Sequence, residues 1–496
     1  MISSFIAFLL IFVGIGLSSA FKARKTSQDY YLASRSVAPW LVGLSAAATN
    51  NSGYMFIGAI GYTYVAGLSS IWLMIGWISG DFIASLYVHK RLREAAARSN
   101  ASSYAGILSN WWGEDKDSSD HHTSLRRIAA VITLLFLLTY ASAQLLAGSK
   151  ALSVLFNWPL WTGSVTGAVL VALYCFAGGI RASIWTDAAQ SIVMMFAMGI
   201  MLLVAVSALG GAGSAWTQLS AIDGYMNWFP QDTALPGFAG GVLFAASWLF
   251  AGLSVIGQPH IMIRFVTLDK PANMVKARLY YYLWFISFYA MAIGVGLLAR
   301  IYLTDTVNFD QELALPLMAQ QLLPPALAGL VLAGIFAATM STADSLILSC
   351  SSALSNDLLP RRFESTTIIK LSTLGITAIA LALTFSSQQS VFALVILAWS
   401  GLASAFAPLL LILCTGQRPT EKTAIIMVLT GISVAALWRL ADLHNAVYEG
   451  MPGIISGLLV YAAIRTINNH ASAPDQKCSQ SPAKERWHGN PRKGGR

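Results

Sequence analysis

Two stretches of the sequence place polar and helix-breaking residues inside apolar segments, a pattern typical of ion and solute binding. The first is Ser45-Ala-Ala-Ala-Thr-Asn-Asn-Ser-Gly53, with two asparagines, a serine and a glycine in succession. The second is Gly252-Leu-Ser-Val-Ile-Gly-Gln-Pro-His260, with two glycines and a proline. An interrupted helix frees backbone groups to bind a ligand, and paired interruptions are typical of transporters. Close helix packing through small residues is the alternative reading.

A third stretch carries hydroxyl groups at helical spacing. It runs from Ala338 to Ser345, and one helical face of it holds Ala338, Ser341, Thr342 and Ser345. Sodium is a hard cation, which takes oxygen ligands such as hydroxyls and freed carbonyls. One isolated hydroxyl in a membrane helix usually bonds back to its own helix. Several hydroxyls together with the carboxylate of Asp344 favour a cation site instead.

Three carboxylates, Asp81, Asp187 and Asp344, lie within or at the edge of apolar segments. An intramembrane carboxylate is costly enough to indicate a function. Asp187 and Asp344 are the stronger candidates for a functional role such as coupling. Asp187 could alternatively cap a helix that starts near residue 187. Asp81 could alternatively be paired with a basic side chain.

The composition requires that these residues are held by membrane helices. Hydrophobic residues make up 56% of the 496 and charged residues 11%, against about 25% charged in ordinary globular proteins. Runs of about 20 apolar residues are long enough to cross a bilayer. They predict an all-α polytopic membrane protein with thirteen spans, at roughly 3–20, 38–61, 66–88, 128–149, 156–178, 187–208, 237–257, 279–300, 327–350, 368–387, 391–414, 423–440 and 450–466.

The basic residues are strongly biased to one side of these spans. On the alternating loops, 28 of the 31 Lys and Arg fall on one side, and only Lys150, Arg300 and Arg439 fall on the other. The positive-inside rule then predicts an external N-terminus and a cytoplasmic C-terminus in the plasma membrane, the inner membrane of a bacterium. The net charge of +9 is therefore a topology signal and does not indicate nucleic-acid binding.

Taken together, the motifs resemble the sodium:solute symporter family, and within it the sodium/proline symporters. The matching stretches are Tyr31 to Trp40, Gly178-Gly179, Trp185-Thr186-Asp187, Gly257 to His260 with Arg264-Phe265, and Met340 to Asp344. The resemblance runs from about residue 25 to 415. It implies a LeuT-type fold of two inverted five-helix repeats with two broken helices.

The predicted organisation of the chain follows from this resemblance and from the spans. It comprises an N-terminal helix and loop (1–35), a first repeat (36–208), an outer loop (209–236), a second repeat (237–415), two further helices (416–466) and a disordered cytoplasmic tail (467–496).

The resemblance also implies two cation sites. The family's common sodium site corresponds here to Ala48, Asn51, Ala338, Ser341 and Thr342. In some members a second site uses an acidic residue that matches Asp187, with hydroxyls that match Ser341 and Ser345. Asp344 stands where those members have a hydroxyl.

The resemblance to proline symporters is weaker at the solute positions. These positions correspond to Asn50, Ser52, Gly53, Tyr140, Ala251, Val255 and Pro259. Asn50 replaces an acidic residue, and Ala251 and Val255 replace aromatic ones. The pocket is therefore predicted to take something other than proline, such as another amino acid or a small carboxylate.

The sequence thus predicts a sodium-coupled symporter that imports a small organic solute by alternating access. It would act as a monomer in membrane lipid, with sodium as co-substrate and no cofactor. A sensor or receptor subunit that signals to a separate partner is the alternative. A passive channel needs no pair of broken helices around an occluded site. An enzyme is disfavoured because six of the seven histidines are assigned to loops or the tail, with His89 at a span edge.

Overall fold

The apolar runs of the sequence form long helices in the computed structural model, which describes residues 1–22, 24, 26–113, 123–304, 309–360, 365–386 and 390–471. The described part of the chain contains one isolated β-bridge, Val37 with Leu268, and is otherwise helical or irregular. The predicted tail 467–496 begins as helix, and its residues 472–496 lie outside the described ones.

The α-helices of the described residues are numbered in chain order. They are α1 (Ile2–Ser18), α2 (Ser27–Leu32), α3 (Pro39–Asn50), α4 (Ile60–Ala66), α5 (Ile71–Ser99), α6 (Tyr104–Ser109), α7 (Thr123–Phe156), α8 (Leu160–Ala208), α9 (Ala212–Ser220), α10 (Gly237–Leu253), α11 (Pro259–Val266), α12 (Met274–Tyr302), α13 (Ala314–Leu322), α14 (Pro325–Ser352), α15 (Thr366–Ser386), α16 (Val391–Cys414), α17 (Glu421–Leu440) and α18 (Gly450–Ala471).

Ten helical stretches of the described chain are long and apolar enough to cross a membrane, and α1 is a shorter apolar helix. The stretch α8 has 49 residues, or about 70 Å of helix, more than twice the hydrocarbon core. It divides at Gly179, where φ is +57°. A Cβ there would collide with the Tyr30 carbonyl oxygen, so glycine is required. Counting α8 as two spans, α3 with α4 as one span separate from α5, and the shorter α1 as one more gives the thirteen crossings predicted.

Leucine side chains on the outer helix faces are left exposed, as expected for lipid contact. Leu10, Leu203 and Leu283 are 65%, 68% and 67% exposed. Helix α14 is the opposite case, because its whole polar stretch from Ala338 to Ser345 is buried. It packs mainly against α7 and α8, whereas α3 packs against α12 and α8. The hydroxyl-bearing helix therefore lies at the centre of the bundle.

The first broken helix ends and restarts within three residues. Helix α3 ends at Asn50, and Asn51 leaves the helical conformation with φ −93° and ψ 57°. The chain is helical again from residue 53, through the π-helical turn Met55–Ala59 into α4. This break matches the polar stretch in the sequence.

The second broken helix is interrupted after Leu253. A 3-10 turn over Ser254–Gly257 leads to Gln258, which is extended with φ −96° and ψ 102°. Pro259 then starts α11, a position where its missing N–H costs nothing. Gly252 lies before the break, inside α10, where a Cβ would collide with the Trp77 carbonyl oxygen of α5. Gly252 therefore serves close helix packing.

Candidate functional site

The hydroxyl pair of α14 contacts the carbonyls at the end of α3. Ser341 Oγ lies 3.2 Å from the Ala48 carbonyl oxygen and 3.1 Å from that of Ala338. Thr342 donates a hydrogen bond of 3.0 Å to the Thr49 carbonyl. Uncharged oxygens of two helices thus converge, which is the chemistry that binds a monovalent hard cation.

The five residues predicted for the common sodium site are not all in contact. The structure brings Ala48, Ala338 and Ser341 together, whereas Thr342 contacts Thr49, which the sequence reasoning did not name. Asn51 lies at the break itself, and its side-chain amide donates to the α3 backbone at 2.9 Å.

A charged cluster lies beside these hydroxyls. Arg264 Nη2 of α11 is 3.4 Å from Asp187 Oδ2 of α8 and 3.5 Å from Asp344 Oδ1 of α14. All three side chains are fully buried, with 0% exposure. In their ionised forms, two carboxylates and one guanidinium carry a formal charge of −1. Because a buried net charge is costly, the cluster favours the binding of one further cation.

Serine hydroxyls connect this charged cluster to the hydroxyl pair. Ser45 donates to Asp187 at 2.6 Å, and Ser183 donates to Asp344 at 2.8 Å. Ser345, the remaining residue predicted here, contacts Arg264 and lies 2.9 Å from Asp344 Oδ1. Its Oγ also lies 2.6 Å from the Ser341 carbonyl oxygen. The two predicted cation sites are therefore contiguous.

Arg264 and Ser183 were not predicted as site residues. The sequence signals for Arg264 are its place in the Arg264-Phe265 match to the family and its basic side chain in the apolar segment directly after the second break. The structure also decides whether Asp187 caps a helix, the alternative considered for it from the sequence. The second half of α8 starts just after Gly179, so Asp187 lies well inside the helix and the capping interpretation is wrong.

The first break also gathers the predicted solute residues. Ser52 Oγ lies 3.2 Å from Tyr140 Oη of α7, and the Gly53 N–H donates to Gln144 Oε1 at 2.9 Å. The Tyr140 ring packs edge-on against His260, with centroids 5.4 Å apart. His260 directly follows Pro259, so the two broken helices meet here. The expectation that His260 lies in a loop is wrong, because it is fully buried in α11.

Asn50 faces a different partner, on α12. Its side-chain amide donates to Tyr281 Oη at 2.5 Å, and that hydroxyl donates to Asp81 Oδ2 at 2.5 Å. Tyr282 donates to the other oxygen of Asp81 at 3.0 Å. Among the described residues Asp81 forms no ion pair, so the basic partner considered for it is replaced by two tyrosines.

The second break is covered by a tryptophan that the sequence reasoning missed. Ala251 and Val255 are both fully buried. The Trp399 indole of α16 donates to the Ala251 carbonyl at 2.9 Å, and the Gln258 amide donates to the Trp399 carbonyl at 2.9 Å. Ala251 and Val255 themselves offer no aromatic surface at the second break. An aromatic side chain of α16 therefore lies against the break at Ala251.

The region of the breaks is closed on one side. The Phe392 ring of α16 stacks on Tyr62, with centroids 5.4 Å apart and an interplanar angle of 8°, and also on Tyr54 at 5.4 Å. These rings lie towards the side predicted to be external. From the opposite side a cavity reaches Pro259, Arg264 and Ser345. The cavity thus borders the charged cluster on the side opposite these rings, while the cluster itself stays fully buried.

A buried ion pair stabilises the loop on the side of this cavity. Asp29 of α2 lies 2.6 Å from Arg181 Nη2 and accepts a hydrogen bond of 2.6 Å from Ser34. Burial raises the pKa of Asp29, but the hydrogen bonds from Ser34, the Arg24 N–H and Arg181 outweigh it. The pKa of Asp29 is therefore below its usual value of 3.8. Asp29 consequently stays ionised at neutral pH and holds α2 against the turn of α8.

Two interrupted helices, with oxygen ligands and a buried charged cluster beside them, define a secondary active transporter of the membrane. The chain belongs to the sodium:solute symporter family, which matches residues 30–431. It is therefore a sodium-coupled solute symporter, a multi-pass protein of the bacterial inner membrane, with sodium as co-substrate.

Curated relatives and solved structures agree with this assignment. The chain is 29% identical to the sodium/proline symporter of Escherichia coli (strain K12), covering 96% of this chain and 95% of that protein. It is 30% identical to the high-affinity proline transporter of Bacillus subtilis (strain 168), covering 89% and 92%. A Na+-coupled sialic acid symporter in an outward-open state has a TM-score of 0.76 at 18% identity, covering 93% and 97%. A nucleobase-cation-symport-1 family transporter has a TM-score of 0.57 at 15% identity, covering 89% and 95%. The fold is thus the LeuT-type inverted repeat.

Proposed function

We propose that this symporter imports a small zwitterionic amino acid together with sodium by alternating access. The observation that carries the proposal is a pair of buried amide side chains at the first break, Gln144 and Asn50. Among the described residues, a donor group of one and an acceptor atom of the other meet no partner. A solute with a carboxylate and an ammonium group would satisfy both.

Gln144 supplies the donor. It is fully buried, and its Oε1 accepts the Gly53 N–H at 2.9 Å. Because a backbone N–H can only donate, the oxygen of the amide must face Gly53 and the NH2 group must face away. That NH2 group, Nε2, meets no acceptor among the described residues. A buried donor left unpaired is costly, so it favours an acceptor such as a carboxylate.

Asn50 supplies the acceptor. Its NH2 group donates to Tyr281, and its Oδ1 accepts no hydrogen bond from the described part of the chain. An unpaired amide oxygen favours a donor such as an ammonium group. Asn50 and Gly53, which orients Gln144, are three residues apart across the break. Both amides therefore lie at the first break, one on each side of it.

The names of the relatives support an amino acid, and the pocket favours one other than proline. The two curated relatives are described as transporters of proline. At the second break this chain has Ala251 and Val255, so no aromatic ring stands at these two positions to pack on a pyrrolidine ring, and the Trp399 indole of α16 is hydrogen-bonded to the Ala251 carbonyl instead. Ser52, Gly53 and Tyr140, with the start of α11 at Pro259, complete the proposed pocket.

For the ions, we assign the common sodium site to the oxygens of Ala48, Asn51, Ala338, Ser341 and Thr342. A second cation would lie at the charged cluster, held by Asp187, Asp344 and Ser345. Its support is the formal charge of −1 that remains after Arg264 has paired. The first site needs no full charge, whereas the second depends on one.

The proposed topology places the N-terminus outside and the C-terminus in the cytoplasm, on the evidence of the basic loops. The cavity that reaches the charged cluster would then open to the cytoplasm, where solute and sodium are released. We propose that the protein works as a monomer, since each LeuT-type chain contains both repeats. The family match and the transporter relatives do not favour the sensor alternative.

The proposal is tested by solute binding to purified protein in sodium. L-Alanine would be compared with propionate, which lacks the ammonium group, and with ethylamine, which lacks the carboxylate. L-Valine and L-proline would be compared with their matched analogues in the same way. We expect an amino acid to bind at least about tenfold more tightly than either analogue. Gln144→Leu should weaken binding of the amino acid and of its carboxylate analogue. Equal binding of an amino acid and both analogues would refute the zwitterion proposal.

A further inference from the structure

Asp81 is a buried carboxylate that the proposed solute and sodium sites do not use. It lies in the middle of α5, with 0% exposure, and within the described ranges it makes no ion pair. Both carboxylate oxygens instead accept tyrosine hydroxyls, Tyr281 at 2.5 Å and Tyr282 at 3.0 Å. An intramembrane carboxylate of this kind indicates a function.

The direction of the hydrogen bonds from Asp81 determines how Asn50 is oriented. The single proton of the Tyr281 hydroxyl is directed at the facing carboxyl oxygen of Asp81, Oδ2, which accepts it at 2.5 Å. The Tyr281 oxygen can then only accept from Asn50, which lies 2.5 Å away on its other side. The atom of Asn50 that faces Tyr281 must therefore be its NH2 group.

It follows that Oδ1 is the atom of Asn50 left for a ligand, and this atom has no donor among the described side chains. If the residue at position 81 could donate, the chain of hydrogen bonds would reverse. Tyr281 would then donate to Asn50, and the NH2 group of Asn50 would be the free one. The polarity that Asn50 offers thus depends on Asp81 accepting the Tyr281 proton.

We propose that Asp81 is a positioning residue that determines solute specificity. Through the Tyr281 hydroxyl it holds the Asn50 amide with its oxygen free, so that the transporter selects solutes with an ammonium group. This inference rests on the proposed import of a zwitterionic amino acid. Asp81, Tyr281 and Asn50 thus form a hydrogen-bonded relay. Tyr282 is outside this relay, because it contacts the carboxylate oxygen that does not face Tyr281.

The test compares three variants: Tyr281→Phe removes the relay, Asp81→Asn introduces a donor, and Tyr282→Phe is the matched control. The probes are L-alanine with propionate, L-valine with isovalerate, and L-proline with cyclopentanecarboxylate. For each pair the selectivity is the ratio of the two dissociation constants. We expect Tyr281→Phe and Asp81→Asn to lower the ratio of the best-bound pair by about tenfold or more. Tyr282→Phe should keep the wild-type ratio.

Sodium is also titrated without solute, with the melting temperature of the protein as the readout. This measurement separates a role in solute selectivity from general damage to the fold. We expect the sodium-induced stabilisation of Tyr281→Phe to match that of the wild type. An unchanged ratio in Tyr281→Phe would overturn the inference while leaving the proposed function intact. An equal fall of the selectivity ratio in Tyr282→Phe would also overturn the inference, because the effect would then not depend on the relay. If the wild type binds no amino acid in the panel, the proposed function itself fails, and the inference fails with it.

Discussion

Replacing Asp187 by asparagine removes one charge from the buried cluster and keeps the shape of the side chain. Arg264 lies 3.4 Å from Asp187 and 3.5 Å from Asp344, so with both carboxylates ionised one negative charge remains uncompensated. In Asp187→Asn, Arg264 and Asp344 would neutralise each other. The hydrogen bond from Ser45, 2.6 Å in the wild type, can still be accepted by the asparagine oxygen.

The size of the expected loss in sodium affinity follows from the charges at these distances. Two unit charges 3.4 Å apart interact by about 5 kcal/mol at an effective dielectric constant of about 20. A cation bound at the cluster would lose an attraction of this order, reduced by relaxation and by water. We therefore expect the apparent sodium affinity to fall ten- to hundredfold, or about 1.4–2.7 kcal/mol.

The assay is the initial rate of solute uptake against sodium concentration in vesicles that contain the purified protein. Asp187→Asn should shift the sodium curve and slow uptake severely, whereas Asp187→Glu, which keeps the charge, should retain part of the activity. Asp344→Asn removes the same formal charge and should produce a comparable shift. Sodium curves near the wild type for Asp187→Asn would refute the charge argument and leave that residue a packing role.

Two further predictions concern the hydroxyl pair and the Asp29 ion pair. Ser341→Ala and Thr342→Ala should each lower the apparent sodium affinity tenfold or more, since each removes one oxygen that faces α3. Thr339→Ala is the control, because that hydroxyl bonds back within α14, and unchanged sodium dependence in both test variants would place the ion elsewhere. Asp29→Asn should cost about 1.5–3 kcal/mol of stability at pH 7. Because the pKa of Asp29 is lowered, this difference should persist from pH 8 to pH 5 and shrink only below about pH 4. A thermal-stability difference that closed between pH 7 and pH 5 would contradict the assignment of the pair with Arg181.

The spans and both helix breaks could be predicted from the sequence because their signals are local. Runs of apolar residues mark the spans, and Asn51 and Pro259 mark the breaks with residues that helices avoid. The hydroxyl pair of α14 was also visible, because helical spacing places Ser341 and Thr342 on one face. These features depend on residues close together in the chain.

The rest of the site depends on contacts between distant helices, which no local pattern encodes. Asp81 meets Tyr281 across two hundred residues of sequence, and Arg264 reaches Asp187 only because α11 is short and enters the core. The apolar runs 156–178 and 187–208 indicate a second half of α8 that starts near residue 187, whereas the turn lies at Gly179. That error made Asp187 a candidate helix cap.

Sodium-coupled import of an amino acid is tested by uptake into vesicles. Purified protein would be reconstituted into vesicles and supplied with a pool of labelled L-amino acids, with an inward sodium gradient or with potassium in place of sodium. We predict that at least one small amino acid accumulates above its external concentration only with the sodium gradient. Accumulation driven by a proton gradient alone, and unchanged when potassium replaces sodium, would contradict it.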